Sequence, residues 1–83
     1  MCPRILLAED DETLRFLVSD ALTLLHMEVV ECPTADSALQ KLETLTLAEP
    51  IDLVLTDIRM PGRIDGFELA QIIWPDGRKC LLF

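Results

Sequence analysis

Two short apolar runs, Ile5-Leu6-Leu7-Ala8 and Ile51-Asp52-Leu53-Val54-Leu55-Thr56, each stop at carboxylates: Glu9-Asp10-Asp11 in the first case, Asp57 in the second. Short apolar runs bounded by charge are the pattern of parallel strands buried on both faces. Set side by side in one parallel sheet, they bring their carboxyl ends to the same edge, where open α/β sheets keep their ligand sites. Carboxylates far apart in the chain then converge on one pocket.

The segments between these runs have helical spacing. After Glu12, the residues Leu14, Leu17, Val18, Ala21, Leu22 and Leu25 recur at intervals of three and four, one face of an amphipathic helix ending near His26. Its acidic start, Asp11-Glu12-Thr13, suits the positive end of the helix dipole, and Asp11 or Glu12 can cap it. Glu28-Val29-Val30-Glu31-Cys32 reads as a second strand, at an edge because of its charges, and Pro33 closes it. Thr34 caps a second helix whose buried stripe is Ala35, Ala38, Leu39, Leu42 and Leu45, and helix-favouring residues run out by Thr46. Past the Asp57 strand, residues 58–66 carry one Pro and two Gly and form a loop. A third helix covers Phe67 to Trp74, capped by Asp65 and ended by Pro75-Asp76-Gly77. Lys79 to Phe83 is a fourth apolar strand. The order β-α-β-α-β-α-β implies a parallel sheet with right-handed crossovers.

Composition removes several classes of function. With 15 acidic against 7 basic residues the formal net charge is −8, which argues against binding a phosphate backbone or an anionic membrane surface. Four aromatic residues, Phe16, Phe67, Trp74 and Phe83, make no stacking platform for single-stranded nucleic acid. No apolar run approaches the roughly 20 residues of a membrane span, and residues 1–4 lead into a strand rather than a signal-peptide core, so the expectation is a cytoplasmic protein. Cys2, Cys32 and Cys80 are odd in number and widely spaced, giving neither a disulfide framework nor a zinc site; Cys32 and Cys80 are expected to face the core. His26 reads as a helix-end or exposed residue rather than a catalytic base.

Carboxylates crowded into one pocket repel one another, so the pocket either binds a divalent cation or raises some of its pKa values. Mg²⁺ satisfies such a set with one or two direct carboxylates, several waters and phosphate oxygens, which points to phosphoryl chemistry. The plainer reading of each cluster alone is a helix cap and a strand-ending turn.

Taken together, Arg4-Ile-Leu-Leu-Ala-Glu-Asp-Asp-Glu-Thr-Leu-Arg15 and Leu53-Val-Leu-Thr-Asp-Ile-Arg-Met-Pro61, with Ile64-Asp65-Gly66 following, resemble the two signature segments of the receiver domain of two-component response regulators. The resemblance implies the flavodoxin-like parallel sheet with flanking helices. It also implies that Asp57 is the phosphoacceptor, that Asp10 binds Mg²⁺ directly with Glu9 beside it, and that the backbone carbonyl of Arg59 completes the metal site. The donor would be a phosphohistidine on a sensor histidine kinase or a phosphotransfer protein. Such a domain is a signalling module rather than an enzyme, limited to self-phosphorylation and slow autodephosphorylation. Pro61 suits a rigid loop and Gly66 a flexible helix entry, while Gly62 lengthens the loop by one residue relative to the common pattern.

The family's Ser or Thr after the fourth strand and Lys after the fifth would both lie beyond Phe83, and Lys79 is not a substitute for that Lys. Residues 1–83 are therefore expected to be one truncated receiver domain, lacking the fifth strand and last two helices, with phosphorylation impaired. The alternative is a phosphorylation-silent receiver fragment that acts as an interaction or dimerisation module through the exposed apolar fourth strand. An enzymatic reading, a Mg²⁺ phosphatase or nucleotidyl transferase, is weak: Asp57 is followed by Ile58-Arg59 rather than by a second nearby carboxylate.

Overall fold

The computed structural model describes residues 2–45 and 50–83. Four strands, β1 (Arg4–Ala8), β2 (Glu28–Cys32), β3 (Leu53–Thr56) and β4 (Cys80–Leu82), alternate with three helices, α1 (Glu12–Leu24), α2 (Ala35–Thr44) and α3 (Gly66–Ile73). Every strand pair is parallel and the sheet order is β2-β1-β3-β4. This is the expected flavodoxin-like arrangement, with β1 in the interior and β2 at an edge. The register Leu6↔Val54 and Ala8↔Thr56 sets the ends of β1 and β3 level.

Strand alternation gives the sheet two faces. Leu6, Ala8 and Val54 belong to one, and their buried cluster includes Ala35, Ala38 and Leu42 of α2, Leu69 and Ile73 of α3, and Met60 from the loop after β3. Ile5, Leu7, Val29 and Glu31 belong to the other, which is the α1 face: Ser19 and Arg15 on α1 both engage the Glu31 carboxylate.

Local signals in the sequence explain where the helices begin. Asp11 caps α1 by accepting the Leu14 N–H at 2.9 Å. Thr34 and Ser37 form a capping box on α2, and Asp65 and Glu68 form another on α3. α1 ends at Leu24, and His26, exposed, takes a left-handed conformation with φ 64°. A 3₁₀ turn over Trp74–Asp76 extends α3 before Gly77, so the third helical unit starts one residue earlier than the periodicity indicates and finishes in a tighter turn.

Two expectations need correction. The apolar stripe of α1 is not a buried face: no α1 residue is buried, Val18 and Leu22 are half-buried, and Leu14, Leu17 and Leu25 are 40%, 57% and 65% exposed. Among the described residues α1 is the only helix on its side of the sheet, so nothing packs on the flank of the stripe that turns away from β1 and β2. The second correction concerns β3, which starts at Leu53 rather than Ile51. The Asp52 carboxylate instead accepts the Arg4 N–H at 2.7 Å, pinning the strand entry to β1. Both cysteines expected to face the core do so: Cys32 is buried in it and the half-buried Cys80 packs against it. Thr46 lies outside the described residues.

Candidate functional site

The level ends of β1 and β3 do what the sequence pattern requires of them. Glu9, Asp10 and Asp57 each offer a carboxylate oxygen, and these oxygens all lie within 4.8 Å of one another. Glu9 is buried, Asp57 half-buried and Asp10 exposed, so the cluster opens outward at Asp10. Asp57 is placed by its N–H, which donates to the Ala8 carbonyl at 3.0 Å and continues the β1–β3 ladder one residue past the strand. Glu9 is placed the same way from the other side, its N–H donating to the Cys32 carbonyl at 3.1 Å.

The Glu9 carboxyl is only partly satisfied. Oε1 accepts the Asp11 N–H at 3.0 Å, while Oε2 is buried without a hydrogen-bond partner among the described residues. Burial, followed by the nearby charges of Asp57 and Asp10, raises the Glu9 pKa, against a lowering by the Asp11 N–H. A buried, unpaired carboxylate oxygen in a native fold calls for an explanation, and a cation supplies one. All the donors are hard oxygens, which suits Mg²⁺ and not a thiophilic metal.

Arg59 lies in the loop two residues after Asp57 with its side chain exposed, and its carbonyl accepts no hydrogen bond among the described residues. Asp11, which the sequence groups with the acidic cluster, is not a member of the triad and serves as the α1 cap.

Several features here were not read from the sequence. Gly66 is required by close approach rather than by flexibility: a Cβ there would fall on the Asp57 carbonyl and crowd the hydroxyl of Thr56, which itself donates to that carbonyl at 3.0 Å. The loop is also tied to α2, where the Asp36 carboxylate accepts the Arg63 N–H at 2.9 Å and occupies the space a side chain at Gly62 would need, at φ 130°. Gly62 therefore does more than lengthen the loop. Finally, Arg15 donates from Nη1 to the Glu9 carbonyl at 2.8 Å. Burial raises the pKa of the Cys32 and Cys80 thiols, which makes these two weaker nucleophiles.

Residues 5–80 match the model of the response regulator receiver domain. The chain belongs to that family. Among its relatives, the response regulator protein FleR of Pseudomonas aeruginosa is 40% identical over 73 residues, covering 88% of this chain and 14% of that protein. The response regulator receiver protein CpdR of Brucella abortus is 43% identical over 68 residues, covering 82% and 52%. Of solved structures, the Thermotoga maritima response regulator TrrA in complex with Mg²⁺-BeF superposes with a TM-score of 0.80 at 30% identity, over 96% of this chain and 65% of that one. A CheY-like receiver domain protein from Methanospirillum hungatei gives 0.84 at 28% identity, over 99% and 63%. This receiver chain thus spans about half or less of the length of those curated relatives and roughly two thirds of those solved chains. It is a signalling domain of the two-component type, and none of its described helices is long and apolar enough to cross a membrane.

Proposed function

We propose that the chain accepts a phosphoryl group on Asp57 in a two-component phosphorelay, with Mg²⁺ held by Asp10, Asp57, Glu9 and the Arg59 carbonyl. The observation that carries this reading is the convergence of Glu9, Asp10 and Asp57 around a buried carboxylate oxygen with no partner. A bound Mg²⁺ would supply charge neutralisation, letting two anions approach. Asp57, held at the end of β3 by Ala8, presents an oxygen to phosphorus; the new O–P bond forms as the P–N bond of a phosphohistidine breaks, and the imidazole leaves with the electron pair. Glu9 keeps its carboxylate aimed into the pocket through the Asp11 N–H, and Gly66 leaves room for the Asp57 backbone. The donor in this reading is a sensor histidine kinase or a phosphotransfer protein, in the cytoplasm. Residues 1–83 act as one receiver unit in this reading.

Intact mass spectrometry after incubation with Mg²⁺ and a small phosphodonor tests this. A gain of one phosphoryl group in the parent and none in Asp57→Asn is expected. An equal gain in both, or no gain in a parent whose far-ultraviolet circular dichroism shows it folded, would overturn it. The second outcome favours another reading, a phosphorylation-silent interaction module. That reading rests on β4, where Leu81, Leu82 and Phe83 are all exposed beside the outer edge of the sheet, a place for a second copy to pair. Sedimentation of the parent against Leu81→Lys separates the two: a dimer lost in the variant supports pairing, and a monomeric parent ends it.

A further inference from the structure

We infer that Arg15 is a positioning residue for the metal-binding pair Glu9 and Asp10, acting through the peptide group that joins them. The inference rests on the reading of the pocket as a Mg²⁺ site. The Glu9 carbonyl that accepts from Arg15 Nη1 at 2.8 Å and the Asp10 N–H belong to one planar peptide unit. Fixing the direction of that carbonyl fixes the plane, and with it the directions in which the Glu9 and Asp10 side chains leave the chain. Neighbouring groups in the turn are held elsewhere, the Glu9 N–H by the Cys32 carbonyl and the Asp11 N–H by the Glu9 carboxylate, but among the described residues the Glu9–Asp10 peptide unit itself has no hydrogen bond other than the one from Arg15.

The guanidinium is itself braced. Its Nε lies 3.5 Å from Glu31 Oε1, and Ser19 donates to Glu31 Oε2 at 3.3 Å, so α1, β2 and the β1 end are linked through one side chain that is 19% exposed. A planar fork with donors in two directions can bridge a carbonyl and a carboxylate together; an ammonium is a point donor. Arg15 reaches the pair through the Glu9 backbone carbonyl, and the carboxylate it lies against is that of Glu31 rather than one of the pocket. Its effect is geometric, and it orients two ligands with one bond.

A second ion pair provides the control. Arg4 and Glu28 also join β1 to β2, at 3.0 Å, but at the opposite end of the strands. If Arg15 merely held the sheet together, Arg15→Met and Arg4→Met would behave alike.

The experiment measures Mg²⁺ affinity by calorimetry, thermal stability, and amide exchange of Asp11, whose N–H reports the seat of the Glu9 carboxyl. Arg15→Met is expected to weaken Mg²⁺ binding by about 10–100-fold, the range for partners that orient metal ligands, and to speed Asp11 exchange. Arg15→Lys recovers part of the affinity, Glu31→Gln loses less than Arg15→Met, and Arg4→Met lowers stability while leaving affinity within about twofold of the parent. Equal affinities in Arg15→Met and Arg4→Met, with Asp11 exchange unchanged, would overturn the inference. If the parent itself binds no Mg²⁺, the proposed function falls, and Asp11 exchange alone decides the positioning role: faster in Arg15→Met sustains it, unchanged removes it.

Discussion

The two faces of the sheet are built from equally apolar strands and end in opposite states. On one, α2 and α3 close over Leu6, Ala8 and Val54, and Leu69 at 0% and Ile73 at 2% exposure complete a core. On the other, α1 is the only helix among the described residues: Ile5 and Leu7 are buried, Leu53 and Leu55 are half-buried, and Leu81 is exposed. Helical periodicity in α1 and α2 is of the same kind, yet only α2 has buried residues. An amphipathic stripe records that a face is apolar. Whether it is covered depends on what else reaches that side of the sheet.

The largest expected effect tests this contrast directly. Leu69→Ala removes a fully buried side chain from the closed face and should cost about 2–5 kcal/mol in urea unfolding. Leu17→Ala, at 57% exposure on the open face, should cost no more than about 0.5 kcal/mol. Comparable losses at the two positions would mean that the open face is covered in solution.

What the sequence makes legible divides along a similar line. The three caps Asp11, Thr34 and Asp65 are readable because a cap is a local event, decided within four residues. The meeting of Glu9, Asp10 and Asp57 is readable because neighbouring parallel strands bring their carboxyl ends to one edge. Arg15, Asp36 and Gly66 were missed as site residues because each acts across the chain, on the Glu9 carbonyl, the Arg63 amide and the Asp57 carbonyl respectively. Nothing in a helical pattern distinguishes an arginine facing solvent from one folded back over a strand end. The exposure of α1 was missed for the same reason, since its cause lies on the far side of the sheet.

Next in size is the pair Gly66→Ala and Gly77→Ala. At Gly66 the added methyl would meet the Asp57 backbone, against the closed face, so a loss of about 1–3 kcal/mol is expected, with weaker Mg²⁺ binding because Asp57 must shift. At Gly77 a Cβ meets nothing, and the only cost is the left-handed backbone at φ 77°, about 1–2 kcal/mol, with Mg²⁺ binding untouched. Equal effects on binding would show that the site tolerates movement of Asp57 and that the closed face does not fix it.

A smaller effect follows from Glu9, which sits where the two faces meet. Its pKa is raised in the folded chain, so between the unfolded and folded values the native state binds more protons than the unfolded one, and stability falls as pH rises through that window. The metal-free parent should therefore have a higher urea midpoint at about pH 4.5 than at pH 7, relative to Glu9→Gln, which lacks the titrating group. Mg²⁺ at saturating concentration should abolish the difference by stabilising the charged form. A parent whose pH profile parallels that of Glu9→Gln would show that the pocket is solvated enough to leave Glu9 unstrained.

The smallest predicted change discriminates most sharply. Phe16→Gln and Leu24→Gln replace side chains that are 64% and 74% exposed on α1. If the face is open in solution, removing them withdraws little apolar surface from burial, and stability should move by no more than about 0.5 kcal/mol for each. Self-association should respond instead: exposed large apolar side chains favour contact between copies, so the double variant should remain monomeric at concentrations where the parent begins to associate. A large stability loss together with a parent that sediments as a dimer would reverse the comparison, because α1 would then be the inner surface of an interface and the apparent asymmetry of the two faces a property of one copy taken alone. A small loss with unchanged association would place any contact between copies elsewhere, and β4 is the remaining apolar edge.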